Sequence, residues 1–574
     1  MRNILLVVTV FSASLFVGAM RASDEPGGLT YERDIRPILK AHCFDCHGAS
    51  EELKGDLDLR LKRLLVRGGK SGPAIQPGKP EESYLIRRVQ AGQMPPGDNK
   101  LPPEQIAILR RWVAAGAPTA RPEPDTLDAG ISITPEERAF WSFQPIQRHP
   151  VPTVTTRDRV RTPIDAFLLA RMQPRGLTFS PDADKRTLLR RAFLDLTGLP
   201  PKPAQIELFL ADTSANAYEK LIERLLESKH YGERWARHWL DIAGYADTEG
   251  STNSDADRPW AYFYRDYVIR SLNADKPFDQ FLREQLAGSE MVPRPHQDLL
   301  PAQIDKLTAT GFLRMAADGT GSGANDETAR NQTIADTIKI VSTSLLGLSV
   351  GCAQCHDHRY DPIPQNDYYA LRAVFEPALD WKHWKTPEQR LVSLYTHQDR
   401  ARSAEIEREA DEIIARRKEQ QNEYISEAFE KELTKVPAEL HEPLRAAHRT
   451  AEDQRSDQQK QLLGQFPSAN VMPGTLYQYG QQYADELKKF DERVEQLRNK
   501  KAKEQFVRVL SEVPDVVPET FVFHRGEHQQ PTERVTPAAL TITAPAGQRA
   551  TIATNDPSLP TSGRRLAYAR WLTN

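Results

Sequence analysis

Apolar residues recur along this 574-residue chain mostly three and four positions apart, and only rarely every second position. That spacing predicts a mainly α-helical protein. Ile35, Ile38, Leu39 and His42 share one helical face, and Pro37 is tolerable only in a first turn, so this helix is expected to begin near Asp34. Ile106, Leu109, Trp112 and Val113 mark a second helix, opened by Pro102-Pro103-Glu104-Gln105 and stopped at Gly116. From Thr162 the helical pattern becomes dense: 187–195, 217–226, 234–241, 261–273 and 278–286 are amphipathic or mostly apolar, and 331–347 is longer.

Two highly charged stretches, 401–433 and 483–506, carry only a narrow apolar seam. In the second, Tyr483, Leu487, Phe490, Val494 and Leu497 step by 4, 3, 4 and 3, a heptad pattern that predicts an antiparallel helical hairpin of coiled-coil type. Alternation appears only near the end, at 520–523 and 540–543, which read as short strands. An amphipathic helix then opens at Gly563. The expected organisation is a small helical domain at 27–120, a proline-rich linker at 121–160 and a larger helical domain at 161–377. A hairpin insertion at 398–510 and a β-containing segment at 514–574 follow. Phe140-Trp141-Ser142-Phe143 is an aromatic patch that could dock the linker.

The amino terminus departs from this pattern. Met1-Arg2-Asn3 is positive, residues 4–20 are apolar without a charge, and small residues follow at Ala19 and Ala22. This is the form of a secretory signal peptide over 1–22, so the mature protein is expected to be periplasmic or otherwise exported. The apolar run is close to the length of a membrane span, which leaves an uncleaved anchor, and membrane proximity, as the alternative. Lys and Arg number 76 against 79 for Asp and Glu, a net charge of −3. Nucleic acid is therefore excluded as a partner on charge grounds.

Candidate chemistry is concentrated in the cysteines. All four fall in two copies of one pattern, Cys43-Phe44-Asp45-Cys46-His47 and Cys352-Ala353-Gln354-Cys355-His356. Cys-x-x-Cys-His is the attachment signature of a c-type haem: two thiols form thioether bonds to the porphyrin edge, and the adjacent histidine reaches the iron. A disulfide within each pair is the alternative in an exported chain, but it leaves the repeated histidine unexplained. The two copies predict two haem c groups and an iron protein that carries electrons to redox partner proteins. Met94, on the stiff strap Ala91-Gly92-Gln93-Met94-Pro95-Pro96-Gly97, is the expected sixth ligand opposite His47.

The second copy has no such strap. His358 follows His356 too closely to reach the opposite face of one iron, so Met315, His230, His238 and His383 are the distal candidates. A zinc site on Cys352, Cys355, His356 and His358 stays open as a rival. The aromatic stretches around Trp235, Trp239 and Tyr262–Tyr267 are either core or the wall of a pocket beside the second haem.

These residues resemble the planctomycete cytochrome c proteins, an exported family built from successive modules. The first domain carries the resemblance through Asp34-Ile35-Arg36-Pro37-Ile38-Leu39, Cys43-Phe44-Asp45-Cys46-His47 and Met94-Pro95-Pro96. The second carries it through Arg237-His238-Trp239-Leu240-Asp241, Gln285-Leu286-Ala287-Gly288 and the run from Gly351 to Ile363. The resemblance implies a cytochrome c-like first domain, a cytochrome-like helical second domain, haem binding and electron transfer outside the cytoplasm. It also implies a third C-terminal module, here apparently truncated. Two other functions stay open. One is a dihaem peroxidase or oxidoreductase with the second haem as reactive centre. The other is an exported metal-containing binding protein whose hairpin recruits partners or a second copy of the chain. No catalytic residue is assigned.

Overall fold

The computed structural model describes residues 28–48, 52–125, 132–250, 255–546 and 548–574. The apolar run at 4–20 lies outside them. No helix among the described residues is long and apolar enough to cross a membrane. The protein is mainly helical, and its chain divides into two compact units that are discontinuous in sequence. The first holds the described residues up to Phe167 together with Ser349–Leu371 and Phe521–Thr551; the second holds Leu168–Leu348, Arg372–Thr520 and Ile552–Asn574. Both Cys-x-x-Cys-His copies therefore belong to the first unit.

In the first unit, helix α1 (Arg36–His42) runs into the single turn α2 (Phe44–His47). Helices α3 (Lys62–Arg67), α4 (Tyr84–Gln90), α5 (Pro103–Ala114) and the short α6 (Pro135–Arg138) follow. The helical path begins earlier than the expected Asp34. A wide turn over Tyr31–Ile35 precedes α1, and the Arg36 N–H bonds back to the Tyr31 carbonyl. Pro37 thus falls where the wide register gives way to the α register, which accommodates its missing donor.

Tyr31, Ile35, Leu39, Phe44, Leu65, Ile86, Leu109 and Trp112 form the centre of this unit, each 1% exposed or less. Each large apolar side chain so buried stabilises the fold by about 1.5–3 kcal/mol. Tyr31 and Trp112 pack with ring centroids 5.9 Å apart. The Tyr31 backbone N–H and the Trp112 indole N–H both donate to the Pro118 carbonyl, each at 2.9 Å. One acceptor thereby fastens the start of the unit to the end of α5. The linker patch does not bury its largest ring, since Trp141 is 79% exposed. What docks the linker is Glu137 on α6, ion-paired to Arg36 and Lys40 of α1.

Expectation and structure part at 540–543. This stretch is a 3₁₀ turn at Thr541–Thr543, not a strand. Asp367 explains the difference: its carboxylate takes the Thr541 N–H at 2.6 Å and the Thr541 hydroxyl at 2.7 Å, leaving no donor there for a ladder. Strand Thr520–Phe523 forms as expected and pairs with Pro531–Val535.

The second unit is built from the expected helices, including Lys185–Thr197, Ala217–Leu226, Lys229–Ala243, Tyr262–Asn273, Phe278–Ala287 and Glu327–Leu345. Trp239 stands edge-on to Phe281 at 5.0 Å, and its indole N–H donates to Tyr264 and Gln285. Tyr264 and Tyr267 are buried. Trp239, Tyr264 and Tyr267 thus belong to the core of the second unit with their polar tips satisfied, as buried Tyr and Trp require, whereas Trp235 is 40% exposed. The two charged arms are helices His397–Leu433 and Gln481–Arg498. Contacts Glu407–Arg498, Arg417–Asp491 and Tyr424–Tyr483 run in opposite order along them, so the pair is antiparallel. The second arm ends before Phe506, which instead begins a strand, Phe506–Arg508, paired with Leu391–Ser393.

Candidate functional site

Cys43 is the joint between α1 and α2. Its N–H closes the last turn of α1 on the Leu39 carbonyl at 2.8 Å, and its carbonyl accepts the N–H groups of Cys46 and His47 at 3.2 and 2.9 Å. Residues three and four apart share a helical face, so Cys43, Cys46 and His47 emerge on one side of the turn. Phe44, fully buried, anchors it from below. The His47 carbonyl then accepts the Leu59 N–H at 2.8 Å, which fixes the exit of the turn. Met94 is held on its strap by the Arg88 carbonyl, which accepts the N–H groups of both Gln93 and Met94.

These four side chains line one cavity of about 440 Å³, whose walls include the apolar Leu57, Leu59, Ala74, Leu85 and Val89. Burial pushes the Cys43 thiol up to about 12, with Cys46 and Asp45 adding to the effect. Burial also lowers the His47 imidazole from its ordinary value, against the pull of the Leu57 and Lys54 carbonyls. The neutral ring is the form that ligates metals. Two thiols, a neutral imidazole and a thioether on one largely apolar cavity match what a covalently held haem requires.

The second copy is built differently. Val350–Gln354 is a 3₁₀ segment, and Cys352, Cys355 and His356 are all exposed. Its backbone is held from behind: the Gln354 carbonyl accepts the Gln365 amide at 2.9 Å and the Tyr369 hydroxyl at 3.0 Å. Gly526, at φ +79°, lies against Cys355, and a Cβ there would stand 2.7 Å from the sulfur. No disulfide joins the cysteines of either pair.

His358 is a turn residue rather than a ligand. Its Nδ1 accepts the N–H groups of Asp361 at 2.7 Å and Tyr360 at 3.2 Å, which places the ring proton on Nε2, 3.0 Å from the Ser349 hydroxyl. Both nitrogens are thereby engaged. Among the described residues no group of three or more His, Cys, Asp or Glu side chains is placed to hold a metal ion. The four donors of the zinc alternative therefore do not converge. The distal candidates all belong to the second unit. There Met315 is buried in the core, His230 pairs with Glu233 at 2.6 Å, His383 pairs with Asp380 at 2.8 Å, and His238 packs on Trp235.

Sequence reasoning missed Arg359. It lines the cavity of the first motif, and its Nη2 lies 2.9 Å from the carboxylate of Asp45. The only signal available was a charged run, Asp357-His358-Arg359-Tyr360-Asp361, directly after the second motif.

Family comparison assigns the same two regions. Residues 43–98 match the model described as Planctomycete cytochrome C, and residues 163–379 match the model described as Protein of unknown function (DUF1549). The first match and the cavity together define a cytochrome-like haem protein. In order and position the two matched regions agree with the resemblance to the planctomycete cytochrome c proteins. No curated protein and no solved structure is detectably similar to the chain.

Proposed function

We propose that this is an exported electron-transfer protein carrying covalent haem, which Cys43 and Cys46 would attach and whose iron His47 and Met94 would ligate. The observation that carries the reading is the convergence of those four side chains on one cavity. A haem held there would supply one-electron ferrous–ferric chemistry. The protein's part is to hold the ring by its edge, present a neutral imidazole and a thioether, and line the remainder with apolar groups. A methionine thioether paired with histidine would raise the potential and favour electron transfer over ligand binding.

A second haem is proposed on Cys352, Cys355 and His356. Exposure of all three suits exchange with redox partner proteins on the exported side of the membrane. The same exposure, with His358 committed to its turn, favours one alternative: a five-coordinate second haem acting as an oxidoreductase centre.

Intact-mass measurement of the chain produced with haem-maturation machinery tests both sites. The expectation is two covalent haems, falling to one in the Cys352→Ser/Cys355→Ser double variant. A single haem unaffected by that variant removes the second site from the proposal. A high-spin signal that shifts with cyanide selects the oxidoreductase alternative over pure electron transfer.

A further inference from the structure

The segment that follows the second motif reaches the cavity of the first. Arg359, three residues beyond His356, lines that cavity beside Cys46 and His47 and pairs with Asp45, the residue preceding Cys46. Two features fix its approach. The His358 ring accepts the N–H groups of Tyr360 and Asp361, the two residues after Arg359. The Asp361 carbonyl accepts from Lys40, a buried lysine on α1, at 2.9 Å. Arg359 is thus anchored through α1, the helix that ends on Cys43.

We propose that Arg359 is an electrostatic positioning residue for the first haem, contributed by the second motif, and that its pairing with Asp45 sets the potential of that haem. The inference rests on the haem reading of the first cavity. A guanidinium remains charged at all relevant pH, so it is a fixed positive charge at the cavity wall. A positive charge disfavours the ferric state, whose iron carries one more charge than the ferrous; the Asp45 carboxylate opposes it. Ionisable side chains near the pair include Cys43, Tyr360 and His42, whose protonation burial and then Arg359 discourage. The two attachment motifs then form one electrostatic unit although 314 positions separate the paired residues.

The test is a spectroelectrochemical titration of the full haem-loaded chain, in wild type and in a Cys352→Ser/Cys355→Ser background where only the first haem reports. Arg359→Gln should lower the midpoint and Asp45→Asn should raise it. Each should change the oxidised-to-reduced ratio at fixed potential by roughly threefold to tenfold. Arg359→Lys should stay near wild type. Opposite signs distinguish a charge effect from loosened packing, which would move both variants the same way. Haem retained on Cys43 and Cys46 with both variants unshifted, or shifted alike, overturns the role of Arg359 alone. A wild-type chain with no haem on those cysteines overturns the reading beneath it as well.

Discussion

Glu137 offers the sharpest test of how the first cavity is held. Its carboxylate receives Arg36 at 2.8 Å, Lys40 at 3.0 Å and the Thr134 N–H at 2.8 Å. Arg36 and Lys40 lie one turn apart on α1 and are only 7% and 3% exposed. Replacing Glu137 by Gln keeps the shape and removes the charge, leaving two buried cations without a counter-ion. Removing one partner of a buried pair costs about 3–5 kcal/mol. Here each cation keeps one carbonyl acceptor, Ser132 for Arg36 and Asp361 for Lys40. Glu137 itself is partly exposed, so the expected cost falls just below that range, about 2–3 kcal/mol.

The assay is hydrogen exchange of peptides from α1 across a urea titration, which reports the first unit separately from the second. With a denaturant slope of about 2–3 kcal/mol/M, the α1 midpoint should fall by roughly 1 M. The effect also has a pH signature. Burial alone would raise the Glu137 carboxyl, but Arg36 and Lys40 outweigh it and hold it below its ordinary value of 4.5. A group depressed in the folded state contributes fully above its unfolded value, and the contribution is lost as pH falls through the folded one. The gap between wild type and Glu137→Gln should therefore be constant near neutrality and shrink in acid below pH 4.5. A cost below about 0.5 kcal/mol, the size of an ordinary surface change, or a gap unchanged in acid, would refute the clamp.

Met94→Ala should leave haem attached through Cys43 and Cys46 but convert the first site from low to high spin and lower its midpoint, read by absorbance and redox titration; an unchanged spectrum would exclude Met94 as ligand. Gly526→Ala should cost about 1–2 kcal/mol in urea unfolding of the first unit, because φ is +79° and the new methyl meets the Cys355 sulfur. Wild-type stability in that variant would mean the loop at Gly526 does not seat against Cys355.

The first site was legible in the sequence because its parts are local. Cys43, Cys46 and His47 are fixed by the period of a single helical turn, and Met94 is marked by the prolines around it. Helix spacing likewise located the longer helices, though not α3, α4 or α6 of the first unit. What escaped were features set by distant partners. The turn at Thr541–Thr543 looks like a strand until Asp367, 174 positions away, takes its N–H. His358 looks like a metal ligand until the folded turn occupies both its nitrogens. Arg359 looks like one charge in a solvated run, and no spacing rule connects it to Asp45.

The same five-residue motif gives two different surroundings, and the second residue of each copy accounts for much of that. Phe44 is large and fully buried, so it draws the first turn onto the core and brings both cysteines and His47 to the cavity wall. Ala353 is buried too, but it fills little space. The second turn is held instead by polar contacts to the Gln354 carbonyl, which fix its backbone and leave Cys352, Cys355 and His356 at the surface. Exchanging Phe44 and Ala353 between the copies should therefore disturb the placing of the cysteines only at the first. Phe44→Ala removes a core anchor at a cost of about 3–5 kcal/mol and should reduce haem retention on Cys43 and Cys46. Ala353→Phe overfills a small buried site and should perturb stability by about 1–3 kcal/mol, while the exposed cysteines keep their reactivity toward thiol reagents. If Phe44→Ala leaves both stability and haem retention intact, the cavity does not owe its form to that ring.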